Sequence, residues 1–310
     1  MKTVRFVLLS LLLVPIITLF SMTGCATDGT DGGIVPIQPV AQGELSQQQI
    51  EQIFYDSMAN QTNLNFYKFN MDMDMITDVI GAESGKMTVL TTSNGAANLA
   101  SNQLQMQMEM DMSMEGLGDE GGSQSIAYDI YQMADWVYMR MEISGMGEQW
   151  IKTPTSEETY EQLDLVNQQL GPLESAVDIE FMGYANVDGE ECYVLSLVPD
   201  MNNLTDWLNQ QQGAGTQDIN WGNISDLSDV FKKLEYTYYI TRDTKLPKRL
   251  IVDMQMELTS EQTGLSGGDY DKMTMDISVD MTLYDYNEPF SIDLPDEAEN
   301  AMEAPESMYQ

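Results

Sequence analysis

The chain contains no histidine, and this absence removes several kinds of chemistry at once. Histidine is the usual general base near neutral pH, the commonest zinc ligand and a member of the Ser-His-Asp triad. Paired acids such as Asp72 and Asp74 are the remaining candidates for catalysis, but alternation along a strand would turn both toward solvent. The sequence therefore predicts a protein that is not an enzyme and that needs no cofactor.

Cysteine is also scarce, since only Cys25 and Cys192 are present. They cannot build the disulfide framework that stabilises many small exported domains. Cys192 follows two acids and precedes Tyr193 and Val194 in an apolar stretch, which predicts a buried thiol rather than a nucleophile. The fold must therefore be stabilised by its own core, for which 43% hydrophobic residues are sufficient.

Basic residues are few, with 13 Lys and Arg against 50 Asp and Glu, and the net charge is −37. A chain of this charge is repelled by phosphates, so nucleic acid is excluded as a partner. Direct adhesion to anionic lipid headgroups is excluded for the same reason. The solvated surface of the protein must be acidic.

No apolar run reaches the roughly 20 residues that a membrane-spanning helix needs. The longest run near the N-terminus covers residues 6–20, follows Lys2 and Arg5, and leads into Met22-Thr23-Gly24-Cys25. A short apolar run with basic residues before it is typical of a secretory signal, and the four residues resemble a lipoprotein processing site. We expect residues 1–24 to be removed and Cys25 to be the lipid attachment site. The alternative is an ordinary cleaved signal with an incidental cysteine.

Acyl chains on Cys25 would hold the protein on the extracytoplasmic face of the cell membrane, because two or more chains give a stable anchor. Residues 25–43 are rich in Gly, Asp, Thr, Pro and Gln without periodicity, which predicts a flexible tether. The folded domain is predicted to cover residues 44–299. Residues 300–310 complete an acidic C-terminal stretch and are predicted to be a disordered tail.

Strict alternation of apolar and polar residues dominates the region between the ends. Successive side chains of a strand point to opposite faces, so each such stretch predicts a strand with one wet and one covered face. This organisation is typical of antiparallel sheets. The pattern is longest at residues 67–75, 104–114, 252–258 and 273–283.

Shorter strands are predicted in the gaps, joined by tight turns. Asp188-Gly189 lies between two of them, and an Asp-Gly pair in this position is a strong hairpin signal. Pro247 lacks an amide proton, so it predicts an edge position or a bulge. Three hairpins are predicted, joining residues 126–131 to 136–143, 180–187 to 190–198, and 234–241 to 245–251.

Helices are predicted to be few and short. Ser46 and Gln49 form a capping-box pattern before an apolar stripe, which predicts a helix over residues 46–60. Residues 210–223 are predicted to be a loop. Further helices are predicted at residues 155–170, at 200–209, and from Ser225 onward with Leu227, Val230, Phe231 and Leu234 on the apolar face.

The predicted elements combine into an α+β fold, a long curved antiparallel sheet of about ten or more strands covered on one side by short helices. The order of elements resembles the LolA and LppX/LprG-like superfamily of lipoproteins over residues 44–299. The resemblance implies a half-open β-barrel that encloses an apolar cavity for acyl chains. It rests on Trp150-Ile151-Lys152, residues 187–195, Tyr238-Tyr239-Ile240 before Leu246-Pro247, and residues 286–295.

Methionine is the one compositional excess, with 25 residues, many of them on the apolar faces of the predicted strands. Its side chain is flexible and polarisable, and it is over-used where a surface adapts to varied apolar partners. This favours a cavity that binds a lipid or another apolar ligand. The predicted lining is Met71, Met73, Met75, Met106, Met108, Met110, Met112, Met139, Met141, Met254, Met256, Met273 and Met275.

Three alternatives to this interpretation stay open at the level of sequence. Methionine could simply fill a core between sheet and helix. Thioethers are soft ligands, so Met-x-Met spacing could also capture Cu(I). The fold could instead serve as a surface or sensor module that contacts a protein partner in the cell envelope, without carrying a ligand.

Overall fold

A computed structural model describes the chain in nine segments: residues 35–38, 45–81, 84–116, 122–133, 135–145, 147–155, 176–201, 227–260 and 271–304. One α-helix, α1 (Gln47–Gln61), lies in these segments, together with short 3-10 turns. The strands are β1 (Val35–Gln38), β2 (Phe66–Ile80), β3 (Gly85–Asn98), β4 (Gln103–Glu115), β5 (Gly122–Gln132), β6 (Trp136–Ile143), β7 (Gly147–Pro154), β8 (Ala176–Val187), β9 (Glu190–Pro199), β10 (Phe231–Thr241), β11 (Pro247–Thr259), β12 (Lys272–Tyr284) and β13 (Met302–Glu303).

All of these strands belong to one sheet, in the order β1-β8-β9-β10-β11-β12-β2-β3-β4-β5-β6-β7-β13. Two meanders, β2 to β7 and β8 to β12, are joined where β12 pairs with β2. Every pairing is antiparallel except that of β13 with β7. Within the described segments the sheet does not close on itself, because β1 and β13 are its two edges. The predicted fold class, an α+β protein built on a half-open antiparallel barrel, is confirmed.

The alternating sequence produces the two faces of this sheet. In β2 the odd residues from Tyr67 to Val79 are buried, and the residues between them are more exposed. The same alternation runs through β12, whose residues pair with β2 without interruption from Lys272 to Tyr284. A shift of one residue would move every apolar side chain to the wet face, so burial of one face fixes the register.

Helix α1 packs on the apolar face of the sheet. Its capping box is complete, because the side chain of Ser46 accepts from the backbone of Gln49 while the Gln49 side chain accepts from the Ser46 amide. Phe54 is buried against the ring of Tyr238, with centroids 6.1 Å apart. Gln61 donates a 2.7 Å hydrogen bond to the Tyr238 hydroxyl. The predicted helix over residues 46–60 agrees with the structure to within one residue at each end.

The helix predicted from Ser225 onward is wrong. Within the described residues, Leu227–Asp229 forms only a short 3-10 turn, and Phe231 begins β10. Helical spacing and strand alternation overlap in this short stretch, and periodicity alone does not separate them. Pairing with β9 and β11 decides the outcome, because Phe231–Thr241 forms a strand between these two neighbours.

Two short strands lie beyond the predicted bounds of the folded domain. Val35–Gln38 lies in the predicted tether, yet it forms β1 and pairs with β8. Met302–Glu303 lies in the predicted tail, yet it forms β13 beside β7, and Ala304 donates a backbone hydrogen bond to Lys152. Edge strands offer unpaired backbone groups, and segments as short as these can satisfy them.

Pro247 also occupies a position that the sequence only partly predicted. Strand β11 lies between β10 and β12, so Pro247 is not at an edge. The register shifts where Ile240 faces Pro247, which confirms the bulge. The stretches predicted at residues 245–251 and 252–258 form one continuous strand.

Several predicted features lie outside the described residues. These are the signal sequence, Cys25, most of the tether, nearly all of the helices at residues 155–170 and 200–209, the loop at 210–223, and residues 305–310. In the part of the chain that the structure describes, no helix combines the length and apolar character needed to cross a membrane.

Candidate ligand-binding face

The methionine side chains lie on one face of the sheet. Ten of the thirteen predicted lining residues have side chains that are at most 6% exposed. They belong to one core cluster that also contains Ile50, Ile53 and Phe54 of α1. We call this surface the Met face; its buried lining residues are Met71, Met73, Met75, Met106, Met110, Met112, Met254, Met256, Met273 and Met275.

The other three predicted residues, Met108, Met139 and Met141, are only half-buried. Residues opposite each other on neighbouring strands point to the same face, and Met108 lies opposite Tyr128, which lies opposite Met141. Tyr128 is half-buried as well, and burial raises the pKa of its hydroxyl. We call Met108, Tyr128 and Met141 the open row. The Met face is thus less buried at the open row and at Met139 than at its ten buried lining residues.

Neutral hydroxyl groups interrupt the apolar character of this face. Within the described residues, the hydroxyls of Thr77, Thr91, Ser93 and Ser57 are buried, and those of Thr77, Thr91 and Ser93 have no hydrogen-bond partner. Ser57 belongs to α1 and lies next to the hydroxyl of Tyr238. The other three belong to the Met face, and Ser93 lies opposite Met108 at the end of the open row.

The buried charges of the described segments lie in ion pairs. The buried charged residues of the described segments are Asp129, Lys248 and Arg249. Each has a partner of opposite charge at 2.6 Å: Asp129 contacts Arg140, Lys248 contacts Glu190, and Arg249 Nε contacts Asp280 Oδ1. Breaking such a pair would leave an uncompensated buried charge. The described part of the protein therefore holds no unpaired buried charge.

The face opposite the Met face carries the acids of the long strands β2, β4, β11 and β12. Asp72 lies directly opposite Asp280 on the neighbouring strand. Partial burial raises the pKa of the Asp72 carboxyl, and the negative charges of Asp280 and Asp74 raise it further. No group of three or more acid, cysteine or histidine side chains in the described segments could hold a metal ion.

Cys192 is fully buried in a small second cluster with Val194 and Tyr239. Burial raises the pKa of its thiol to about 12, and the nearby Glu190 carboxylate acts in the same direction. Only the thiolate is strongly nucleophilic, so this cysteine is held in its unreactive form at neutral pH. The prediction that the Cys192 thiol is buried is therefore confirmed.

Sequence reasoning missed the hydroxyls, Tyr128 and the whole of β3. The apolar positions of β3 are occupied from Thr91 onward by Thr91, Ser93, Gly95 and Ala97, which give no hydrophobic alternation. A usable signal did exist, because the segment is enriched in β-branched threonine and lies between two long alternating strands. Sequence reasoning also missed that Asp72 and Asp280 lie opposite each other, because this depends on the register between β2 and β12, which the sequence did not reveal.

The profile described as "Family of unknown function (DUF6612)" matches residues 49–303. The chain therefore belongs to this family. No curated protein matches the chain.

Three solved structures are similar to the chain at low identity. Lipoprotein LppX from Mycobacterium tuberculosis is 14% identical, with a TM-score of 0.36 over 80% of this chain and 100% of LppX. LprF from Mycobacterium bovis is 12% identical, with a TM-score of 0.38 over 80% of this chain and 98% of LprF. A putative outer membrane lipoprotein-sorting protein domain from Vibrio parahaemolyticus is 10% identical, with a TM-score of 0.24 over 81% and 97%.

Proposed function

We propose that the protein is a lipoprotein, anchored through Cys25 on the extracytoplasmic face of the cell membrane, that binds a lipid or another apolar ligand. In this proposal the protein binds the ligand and, as an extension of that role, transfers it. No catalysis is involved. One observation carries the proposal: methionine is the commonest residue of a continuous apolar face that becomes partly exposed at the open row. A face chosen only for unique packing would favour Leu, Ile and Val.

The open row supplies a route for the ligand. Met108 and Met141 are unbranched and repack at low cost, so they can move aside for an acyl chain. The buried methionines beyond them continue the same surface across β2 and β12. A bound chain would exchange contacts with water for contacts with this surface, and each buried methylene group contributes about 0.8 kcal/mol.

A second candidate function is a module that contacts a protein partner and carries no ligand. The observation that favours it is the near-complete burial of the central methionines, since Met71, Met73 and Met75 are each at most 2% exposed. Such a core could be filled by its own side chains. Cu(I) binding is a third candidate, because thioether sulfurs share this face.

The test compares lipid bound to three variants of the full-length protein, purified identically from membranes. Met108→Trp fills the open row, Met108→Leu removes only the sulfur, and Gln107→Trp places the same bulk on the opposite face of β4. Lipids are extracted with organic solvent and quantified per mole of protein by mass spectrometry. All variants share the anchor, so the lipid held around its acyl chains is the same in each and cancels when the variants are compared.

We expect Met108→Trp to lose most of the specifically bound lipid while Met108→Leu and Gln107→Trp retain it. Equal lipid content in all of them would show that the face is not a binding site and would favour the partner-contact function. If the core is instead filled by its own side chains, Met108→Trp should lose about 1–3 kcal/mol of stability and should lose no lipid. Loss of bound copper in Met108→Leu would identify the metal site instead.

A further inference from the structure

Three hydroxyl groups of the Met face lack the partners that buried polar groups normally have. Thr77 and Ser93 are 0% exposed and Thr91 is 1% exposed, and none of the three hydroxyls has a hydrogen-bond partner within the described residues. A hydroxyl left unpaired in an apolar interior is destabilising, and a methyl group of similar shape would avoid the cost. Valine and alanine would serve better if the face only filled a core.

The placement of these hydroxyls relates them to the open row. Thr91 and Ser93 are two residues apart on β3, so their side chains share one face with about 7 Å between their Cα atoms. Ser93 lies opposite Met108, the first residue of the open row, and Thr91 lies opposite Met110. A chain that passes over Met141, Tyr128 and Met108 therefore reaches the Ser93 hydroxyl next.

The chemistry of the surroundings restricts what these hydroxyls can bind. A hydroxyl can donate one hydrogen bond and accept others, and it carries no charge. The three buried charged residues in the described segments are already paired with opposite charges, so no free cation stands ready to neutralise an ionised headgroup there. The matching group is therefore a neutral oxygen acceptor attached to apolar chains.

We propose that Thr91 and Ser93, with Thr77 as a neighbour on the same face, form a hydrogen-bonding site that selects ligands with a neutral carbonyl within their apolar portion, as in an acyl ester. The hydroxyls donate to the ester carbonyl, and the methionines around them contact the acyl chains. This inference rests on the proposed function, because it specifies the ligand that the Met face binds.

The test uses two probes that differ only at the linkage, dioctanoylglycerol and its dioctyl ether analogue. Their affinities for the full-length protein are measured by calorimetric titration in the same detergent. The ratio of the two affinities is the readout, since the ratio reports the carbonyl contact rather than chain burial. We expect the wild-type protein to prefer the ester.

Thr91→Val and Ser93→Ala remove the hydroxyls with little change in shape. Each should lower the affinity for the ester about fivefold, the usual effect of one neutral hydrogen bond, and leave the ether unchanged. Thr91→Ser keeps the hydroxyl and should keep the ester preference. Thr92→Val is the matched control, because Thr92 points to the opposite face of β3.

Each result is decisive. An ester preference that survives in the Thr91→Val/Ser93→Ala double variant overturns the inference while the proposed function stands. Failure of the wild type to bind either probe overturns both. Folding is checked by thermal unfolding, and since the hydroxyls have no partner, the variants should be at least as stable as the wild type. Marked destabilisation would mean that the hydroxyls are bonded within the protein, and would also overturn the inference.

Discussion

The ring of Phe69 on β2 packs directly over the backbone of Gly95 on β3. A Cβ atom at Gly95 would overlap Phe69 Cζ and would lie 2.9 Å from the carbonyl oxygen of Gln105. Phe69 is completely buried, so its ring has little space to move aside. Glycine in this strand is therefore required by a close approach between side chain and backbone.

Gly95→Ala is expected to destabilise the protein by about 1–3 kcal/mol, the usual cost of overpacking a well-filled interior. Urea denaturation measures the change. Gly122→Ala is the control, because a Cβ at Gly122 meets nothing within 4 Å, and it should change stability by less than about 0.5 kcal/mol. Phe69→Leu shortens the side chain, so Gly95→Ala should cost less in that background. An equal cost in both backgrounds would contradict the contact.

Asp72→Asn is expected to stabilise the protein at neutral pH. Asp72 faces Asp280 across two strands, and like charges in this position are destabilising by a few tenths of a kcal/mol. The pKa of Asp72 is raised above 3.8 in the folded state, so the folded protein binds this proton more tightly and stability falls as pH rises through that window.

The gain from Asp72→Asn should therefore be present at pH 7 and vanish below about pH 3.8, where Asp72 is protonated in both states. Chemical denaturation at the two pH values measures it. Asp78→Asn on the same strand is the control, because Asp78 lies opposite Thr274 rather than an acid. A gain of the same size at both pH values would show that charge repulsion is not its cause.

Met275→Asp and Asp276→Asn test the assignment of faces with two adjacent residues of β12. Met275 is 6% exposed within the core, and a carboxylate there should cost several kcal/mol or prevent folding. Asp276 points to the opposite face, and its amide variant should change stability by less than about 0.5 kcal/mol. Thermal unfolding compares the two variants. Similar tolerance at both positions would mean that the register is wrong.

Cys25→Ser tests the membrane anchor. If Cys25 carries the acyl chains, the variant should remain unprocessed or be released, and it should leave the detergent phase when Triton X-114 is warmed to separate. The folded domain should be unaffected, since β1, the first element the structure describes, starts at Val35. Normal processing and detergent partitioning of Cys25→Ser would rule out lipid attachment at this residue. Cys192→Ser, which alters a buried thiol, should leave partitioning unchanged.

Local patterns in the sequence predicted much of the fold. The long strands were visible because the period of two continues over many residues, and α1 was visible because its capping box and apolar stripe agree. Strand β3 was missed because Thr91, Ser93, Gly95 and Ala97 occupy its buried positions and interrupt the hydrophobic alternation. The stretch after Ser225 was misassigned because its short apolar pattern fits both periods, and pairing with neighbouring strands chose between them.

The sequence by itself determined that this protein has one acidic face, one methionine-rich face, and an N-terminus typical of lipid attachment. These properties follow from composition and from the alternation of side chains along each strand. Only the tertiary structure decided which residues share a row. It placed Ser93 beside Met108, set Asp72 against Asp280, and left the open row half-buried, because strand order and register arise from contacts between residues far apart in the chain.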